Sequence, residues 1–195
     1  MKKWLFPIII IALLAIWGVS VNNTSIDLQE DTKEAWADVE SSYQRRNDLI
    51  GNLVKTVQGA ADFERTTLRE VIEARAKATS TTIDASNLTA ENMAQFQQAQ
   101  SGLSGALSKL LVSVERYPEL KANQNFLELQ SQLEGTENRI NVARDRFNDA
   151  VKPYNQYVRK MPRSLIAGIM GFKEMGYFEA DDGSENAPDV DFDFK

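Results

Sequence analysis

The stretch WADVESSYQRRNDLIGNLVKTVQGA, residues 36–60, decides the class of fold. Its apolar residues recur at alternating steps of three and four positions, which is the spacing of one face of an α-helix. They are Trp36, Val39, Tyr43, Ile50, Leu53, Val57 and Ala60, and Arg46 occupies the gap in the series. The stretch therefore predicts a long amphipathic helix that packs its apolar face against other helices.

Two later stretches repeat this spacing. One runs from Met93 to Tyr117, with Thr89 as its expected N-cap, and the other runs from Phe126 to Tyr154, with Asn123 as its N-cap. Pro153 should bend or end the last helix. The links at 80–88 and 117–123 are short, so consecutive helices should be antiparallel neighbours. The sequence predicts an all-α protein, with one N-terminal transmembrane helix and an elongated antiparallel bundle of three to four long helices.

The predicted helix lengths do not match. An unbroken first helix from Asp27 to Thr79 would extend about 80 Å, whereas each of the other two helices would extend about 42 Å. The part of the first helix nearest the membrane would then have no partner. Either this helix kinks near Gly51 and its lower part packs elsewhere, or another protein or another copy of the chain covers it. We take Trp36, Val39 and Tyr43 as a candidate partner or oligomer surface.

The segment WLFPIIIIALLAIWGVSV, residues 4–21, contains no charged residue. Its length in helical form would be about 27 Å, close to the roughly 30 Å of a bilayer's hydrocarbon core. We expect residues 1–23 to anchor the chain in membrane lipid through residues 4–21. Because Lys2 and Lys3 precede the segment and acidic residues follow it, the N-terminus should face the cytosol. The body would then lie outside the cytoplasmic (inner) membrane, and a cleaved signal peptide is the alternative that also exports the body.

The residue types present exclude several kinds of chemistry. The chain contains no histidine and no cysteine, so it lacks the usual general base, thiolate nucleophiles and the commonest zinc ligands. A carboxylate site at Glu64, Glu70 and Glu73 is disfavoured because basic residues alternate with these acids, as on a solvated helix face. We predict no catalytic residue, no metal, no cofactor and no small-molecule substrate.

The formal net charge of −6 comes mainly from the C-terminal end. Residues 179–195 contain seven acidic residues and one basic residue, and we expect them to form an acidic disordered tail. Residues 24–178 form the predicted helical bundle. An acidic chain without a basic surface is not expected to bind nucleic acid.

A short apolar segment, RSLIAGIMGFKEMGYFEA, follows Pro162. Three glycines interrupt it, so we expect a short helix or hook that closes one end of the bundle. The alternative is a second contact with the membrane surface. That contact would involve Leu165, Ile166, Ile169, Met170 and Phe172.

Three motifs carry a resemblance to a known family. The sequences RRNDLIGNLV at 45–54, YPELKANQNFLELQ at 117–130 and TENRINVAR at 136–144 resemble the LemA family of bacterial membrane proteins. The resemblance extends over 35–180 and implies an elongated helical domain behind one N-terminal membrane helix. Many members of that family have proline where this chain has Gly51, which suggests a bend there. Many also have histidine where this chain has Phe63.

Four charged residues lie on or beside the apolar stripes of the predicted helices: Arg45, Arg46, Glu137 and Arg139. We interpret them as a structural polar layer that sets the register between helices, and an anion or partner site is the alternative. The chain is thus expected to be a non-enzymatic, single-pass membrane scaffold or adaptor of the bacterial envelope. Its partner would be an unidentified envelope protein or a second copy of the chain. The alternative function is membrane shaping or lipid binding.

Overall fold

The computed structural model describes residues 5–59 and 63–179. The described residues form six helices and no strand, which confirms the all-α prediction. The helices are α1 (Leu5–Gln58), α2 (Arg65–Ser80), α3 (Ala90–Val114), α4 (Pro118–Lys121), α5 (Gln124–Arg159) and α6 (Arg163–Ile169). The acidic tail predicted at 179–195 lies outside the described residues except for Glu179.

The predicted caps of the two later helices are confirmed. The Thr89 hydroxyl accepts a hydrogen bond from the Asn92 amide, and the Asn123 side chain accepts one from the Phe126 amide. Pro153 does not end α5, which continues for six more residues to Arg159. The link at 117–123 contains the single helical turn α4, which Pro118 begins. Local signals thus define the starts of α3 and α5.

The first helix differs from its prediction at both ends. It is continuous for 54 residues from Leu5 to Gln58, with no break at Gly51, so it begins before Asp27 and ends 21 residues before Thr79. Gly59, a residue with low helix propensity, follows the last helical position, and α2 begins separately at Arg65. Because α1 is uninterrupted, it also passes through the predicted boundary between residues 23 and 24.

Gly51 has a packing role. The Arg75 guanidinium lies against it, and a methyl group placed on Gly51 would be only 3.1 Å from Arg75 Nη2. Arg75 Nε donates a hydrogen bond of 2.7 Å to the Asn47 carbonyl oxygen on the same turn of α1. The glycine therefore gives α2 room to approach α1.

The helices pack as two antiparallel pairs, α1 with α5 and α2 with α3, and α2 also contacts α1. Two apolar clusters fill the interior. The proximal cluster, nearer the N-terminal apolar segment, is rich in aromatic residues and includes Trp36, Phe96, Phe147, Tyr154 and Phe178. The distal cluster is mainly aliphatic and includes Ile50, Leu53, Leu103, Leu110 and Phe126, together with Phe63.

Candidate functional site

A buried polar group separates the two apolar clusters. Arg46 is 3% exposed and lies between Tyr43 in the proximal cluster and Ile50 in the distal cluster. Its guanidinium donates to Gln100 Oε1 at 2.6 Å, Ser104 Oγ at 3.1 Å and Glu137 Oε2 at 3.2 Å. The Tyr43 ring also lies beneath the guanidinium carbon, at 4.8 Å from the ring centroid. Charge-assisted hydrogen bonds thus connect α1, α3 and α5 at a single level of the bundle.

This group contains two of the four residues predicted for the polar layer. Arg46 and Glu137 bond to each other, whereas Arg45 and Arg139 are exposed and face a surface groove. Gln100 and Ser104 also contribute, although Gln100 appeared in the sequence only as one position of an otherwise apolar series. An isolated glutamine at a core position facing a buried arginine is the signal that could have identified it.

The candidate partner surface at Trp36, Val39 and Tyr43 is buried inside the chain, so that prediction is wrong. Trp36 and Val39 are 0% exposed and Tyr43 is 5% exposed. The Trp36 ring contacts Phe96 of α3, Phe147 of α5 and Phe178, with ring centroids 5.4, 5.5 and 6.1 Å away. These residues come from distant parts of the sequence, which is why helical spacing alone could not show that the stripe has a partner.

Phe178 belongs to a non-helical segment, residues 172–179, which we call the C-terminal strap. The strap follows α6 through a turn at Gly171, whose φ of +85° is a conformation that favours glycine. Met175 and Phe178 insert into the proximal cluster and are 6% and 5% exposed. The strap thus covers the aromatic stripe of α1 that the sequence left without a partner.

Three side-chain amides bind the strap backbone, each accepting from the N–H and donating to the C=O of one residue. Asn155 does so at Met175, with distances of 2.9 and 2.8 Å. Asn148 does so at Phe178, with distances of 2.9 and 3.0 Å, and Gln97 does so at Glu179, with 3.3 and 2.8 Å. The Tyr154 hydroxyl donates a further hydrogen bond of 2.8 Å to the Lys173 carbonyl oxygen. These bonds satisfy backbone groups that no secondary structure pairs.

The pKa of Tyr154 is raised because burial disfavours the phenolate. The pKa of Glu40, one turn after Trp36 on α1, is also raised. Burial of the carboxylate is the main cause, an interaction with Trp36 opposes it, and repulsion from Asp84 adds to it. Tyr154 is a member of the proximal cluster and Glu40 lies beside it, so both shifts follow from packing.

The first part of α1 has the properties of a membrane span. A window of its apolar N-terminal region is long and apolar enough to cross a bilayer, and only 6% of that window is buried. Phe6, Ile11, Leu13 and Ile16 are each more than 60% exposed. Val21 is 2% exposed, so the bundle begins to cover α1 within the last turn of this segment.

The expected short helix after Pro162 is α6, which packs against both α1 and α5. A methyl group placed on Gly18 would lie 3.8 Å from Ile166 Cδ1, so α6 reaches the end of the apolar segment.

Within residues 5–59 and 63–179, no group of three or more acidic side chains could hold a metal ion. The surface groove between α5 and the strap is open and polar, and its lining includes Asn148, Lys152 and Arg159.

Comparisons with known proteins agree with this architecture. The sequence profile of the LemA family matches residues 35–192. Two curated relatives are the magnetosome proteins MamQ 1 and MamQ 2 of Paramagnetospirillum magneticum, each 27% identical over 80% of this chain. The LemA protein of Metamycoplasma hominis is 20% identical over 90% of this chain and 77% of its own length. The match covers 64% of the length of the MamQ proteins, slightly less than two thirds.

The family match covers most of the chain, including all of the bundle from Trp36 onward. It also includes the arginine pair of α1, the Asn123 cap and the strap. The apolar span at the start of α1 precedes the matched region and indicates a membrane-associated protein. The chain belongs to the LemA family.

Proposed function

We propose that this protein is a non-enzymatic, single-pass scaffold or adaptor of the bacterial envelope. Its N-terminus lies in the cytosol, residues 4–21 cross the inner membrane, and the bundle lies on the outer side. The observation that carries the proposal is the continuity of α1, which contains both the exposed apolar segment and the buried stripe of the bundle. A single rigid helix holds the bundle at a defined orientation to the bilayer, as a scaffold requires.

The residue types support a role in binding. The chain has no histidine or cysteine, and the buried Arg46 group bonds to side chains of α3 and α5 and so connects three helices. The names of the MamQ relatives associate those proteins with magnetosomes.

A partner must use surfaces other than the buried aromatic stripe. Exposed apolar side chains remain on the outside of the bundle, and Val112 on α3 and Val142 on α5 are 72% and 50% exposed. Neither residue packs into a core cluster. We propose these positions as contact points for an envelope protein or for a second copy of the chain.

The proposal can be tested with photo-crosslinking amino acids in the full-length protein in intact cells. A crosslinker at Val112 or Val142 should trap an envelope protein or a second copy on illumination. Ser41, an exposed polar position on α1, is the control on another helix and should trap much less. Equal trapping at Ser41, or no product at Val112 and Val142, would contradict the proposed contact points.

The orientation of the chain in the membrane is tested separately. A reporter that is active only outside the cytoplasm, fused after Lys195, should give a signal in cells that express the full-length chain. A reporter that is active only in the cytosol should give none at the same position. The reverse result would overturn the proposed topology and leave the bundle architecture unaffected.

A further inference from the structure

We propose that α6 and the turns on either side of it form a second membrane contact, which inserts into the outer-leaflet interface and binds anionic lipid headgroups. We call residues 159–174 the interfacial hook. The proposal rests on the membrane span proposed above. It concerns a different element, whose contact with lipid does not follow from the presence of a span.

The first observation is an apolar surface that none of residues 5–59 and 63–179 covers. Met161, Leu165, Ile169 and Met170 are 68%, 60%, 82% and 54% exposed. Only the opposite side of α6 is packed, through Ala167, which is 1% exposed, and Ile166. Four large apolar side chains exposed on and beside a single seven-residue helix form a patch of the kind that marks an interaction site.

The second observation is the position of this patch. Ile166 packs at Gly18, which lies inside the apolar segment, one turn before its end. The segment is about 27 Å long in helical form, slightly less than the roughly 30 Å of the hydrocarbon core, so the body cannot stand away from the bilayer. A hook that touches Gly18 therefore lies at the depth of the headgroups and the first part of the acyl chains. Its exposed side chains continue the lipid-facing surface of α1.

The third observation is local charge. The hook contains Arg159, Lys160, Arg163 and Lys173 against one acid, Glu174, so its net charge is +3 in a chain whose net charge is −6. Arg159 pairs with Glu174, and Arg163 lies over the Tyr157 ring. Lys160 and Lys173 are exposed beside the apolar patch. Basic residues around an apolar helix face favour binding to an anionic membrane surface.

The net charge of the whole chain is negative, but only charges near the membrane surface affect the approach of the hook to anionic lipid. The Debye length at physiological ionic strength is about 8 Å, so charges farther away contribute little at the membrane surface. The acidic residues of the distal bundle therefore have little effect on the approach of the hook to lipid. Asp27, Glu30 and Asp31 begin about 9 Å beyond the end of the span and oppose part of the attraction of the hook's basic residues.

Because the chain has no cysteine, single-cysteine labelling can locate the hook without further substitutions. The full-length Ile169→Cys protein would be labelled with a polarity-sensitive fluorophore and reconstituted into vesicles. We expect blue-shifted emission and strong quenching by lipids that carry a nitroxide at the headgroup or upper acyl chain. Nitroxides placed deep in the bilayer should quench it less.

Two control positions separate this inference from the proposed function. Ile11→Cys lies in the span, where it is 66% exposed, and should be quenched by deep nitroxides. Val112→Cys, on the distal bundle, should not be quenched. Quenching at position 11 together with no quenching at 169 would overturn the hook alone. No quenching at position 11 would overturn the membrane span and the hook with it.

Lipid charge provides a second test. Quenching of the Ile169→Cys label should increase when phosphatidylglycerol is mixed into phosphatidylcholine vesicles. The Lys160→Glu/Lys173→Glu variant should lose that increase, whereas Lys109→Glu, on the exposed surface of α3, should retain it. If the hook variant retains the full increase, the assignment of headgroup binding to these lysines is wrong.

Discussion

At the scale of single residues, Arg46 is the most informative side chain. It interrupts an apolar helix face at the point where the aromatic cluster gives way to the aliphatic one, and its bonds extend to α3 and α5. Removing one member of a buried group of this kind is costly because its partners are left unsatisfied, and the charge disfavours any register that leaves it unpaired. Arg46 Nε, with no acceptor among the described residues, shows that the layer is only partly satisfied.

Replacing Arg46 with methionine should destabilise the bundle by about 2–4 kcal/mol, because Gln100 loses its partner and the site loses packing. The neighbouring Arg45→Met change is the matched control and should stay within about 0.5 kcal/mol, since Arg45 is exposed. Chemical denaturation of both variants in detergent measures the difference. Equal effects at the two positions would contradict the polar layer.

The salt bridge to Glu137 should contribute much less than the arginine itself. The Glu137 side chain is 49% exposed, so solvent screens the pair, and Glu137→Gln should cost under about 1 kcal/mol. A loss as large as that of Arg46→Met would show that the ion pair, and not the buried network, carries the stability.

The raised pKa of Glu40 leads to a prediction about pH. Packing disfavours the charged carboxylate in the folded chain, so the native state is favoured while the group is protonated. That contribution is lost as pH rises through the folded pKa. The Glu40→Gln variant, which is always neutral, should therefore match the wild type in acid and melt higher than it at neutral pH. A melting-temperature difference independent of pH would contradict this account.

At the scale of elements, the C-terminal strap decides how the bundle is completed. It has no secondary structure of its own, and side-chain amides of α3 and α5 satisfy its backbone groups. At Gly176 the strap passes very close to the start of α3, with its amide donating to the Leu88 carbonyl oxygen at 2.8 Å. A methyl group at this position would be 2.7 Å from Ala90 Cα.

The Gly176→Ala change should therefore displace the strap and destabilise the bundle, because the clash is with backbone that cannot rotate away. Gly105→Ala on α3, where a methyl group would meet nothing within 4 Å, should instead stabilise by up to about 1 kcal/mol. Hydrogen exchange at the Met175 and Phe178 amides should accelerate in the first variant only. Unchanged protection there would show that the strap tolerates the methyl group.

At the scale of the whole molecule, two apolar clusters share three long helices. Because α1, α3 and α5 run through both clusters, loss of packing in one cluster should lower the stability of the other. The structure thus predicts a single cooperative unit, although its core is divided by a polar layer.

Leu110→Ala tests this cooperativity from the distal cluster, where Leu110 is 0% exposed. It should cost about 2–5 kcal/mol. With Trp4 and Trp17 replaced by phenylalanine, fluorescence reports Trp36 in the proximal cluster, and its unfolding should shift together with the loss of helical circular dichroism. A fluorescence transition that stays in place while helicity is lost earlier would show two independent units.

Local features of the sequence determined the helices and the membrane segment. The caps at Thr89 and Asn123, the three-and-four spacing and the run of apolar residues at 4–21 act within a few positions along the chain, so they can be read without a structure. Arg46 and Glu137 were also recognisable, because a charge on an apolar helix face must find a partner. The end of α1 at Gln58 was missed because no proline occurs between Pro7 and Pro118, and Gly59 is only one of several glycines in that stretch.

Tertiary structure alone decided what covers the aromatic stripe. Helical spacing shows that Trp36, Val39 and Tyr43 must be buried, but the covering residues lie far away in the sequence, as with the hydrogen bond from Thr32 to Met175 across 143 positions. The strap has no periodicity that could predict its path, because its backbone is held by side chains of other helices. The residues predicted as a partner surface are therefore part of the core. The exposed apolar surface beside the span is on α6.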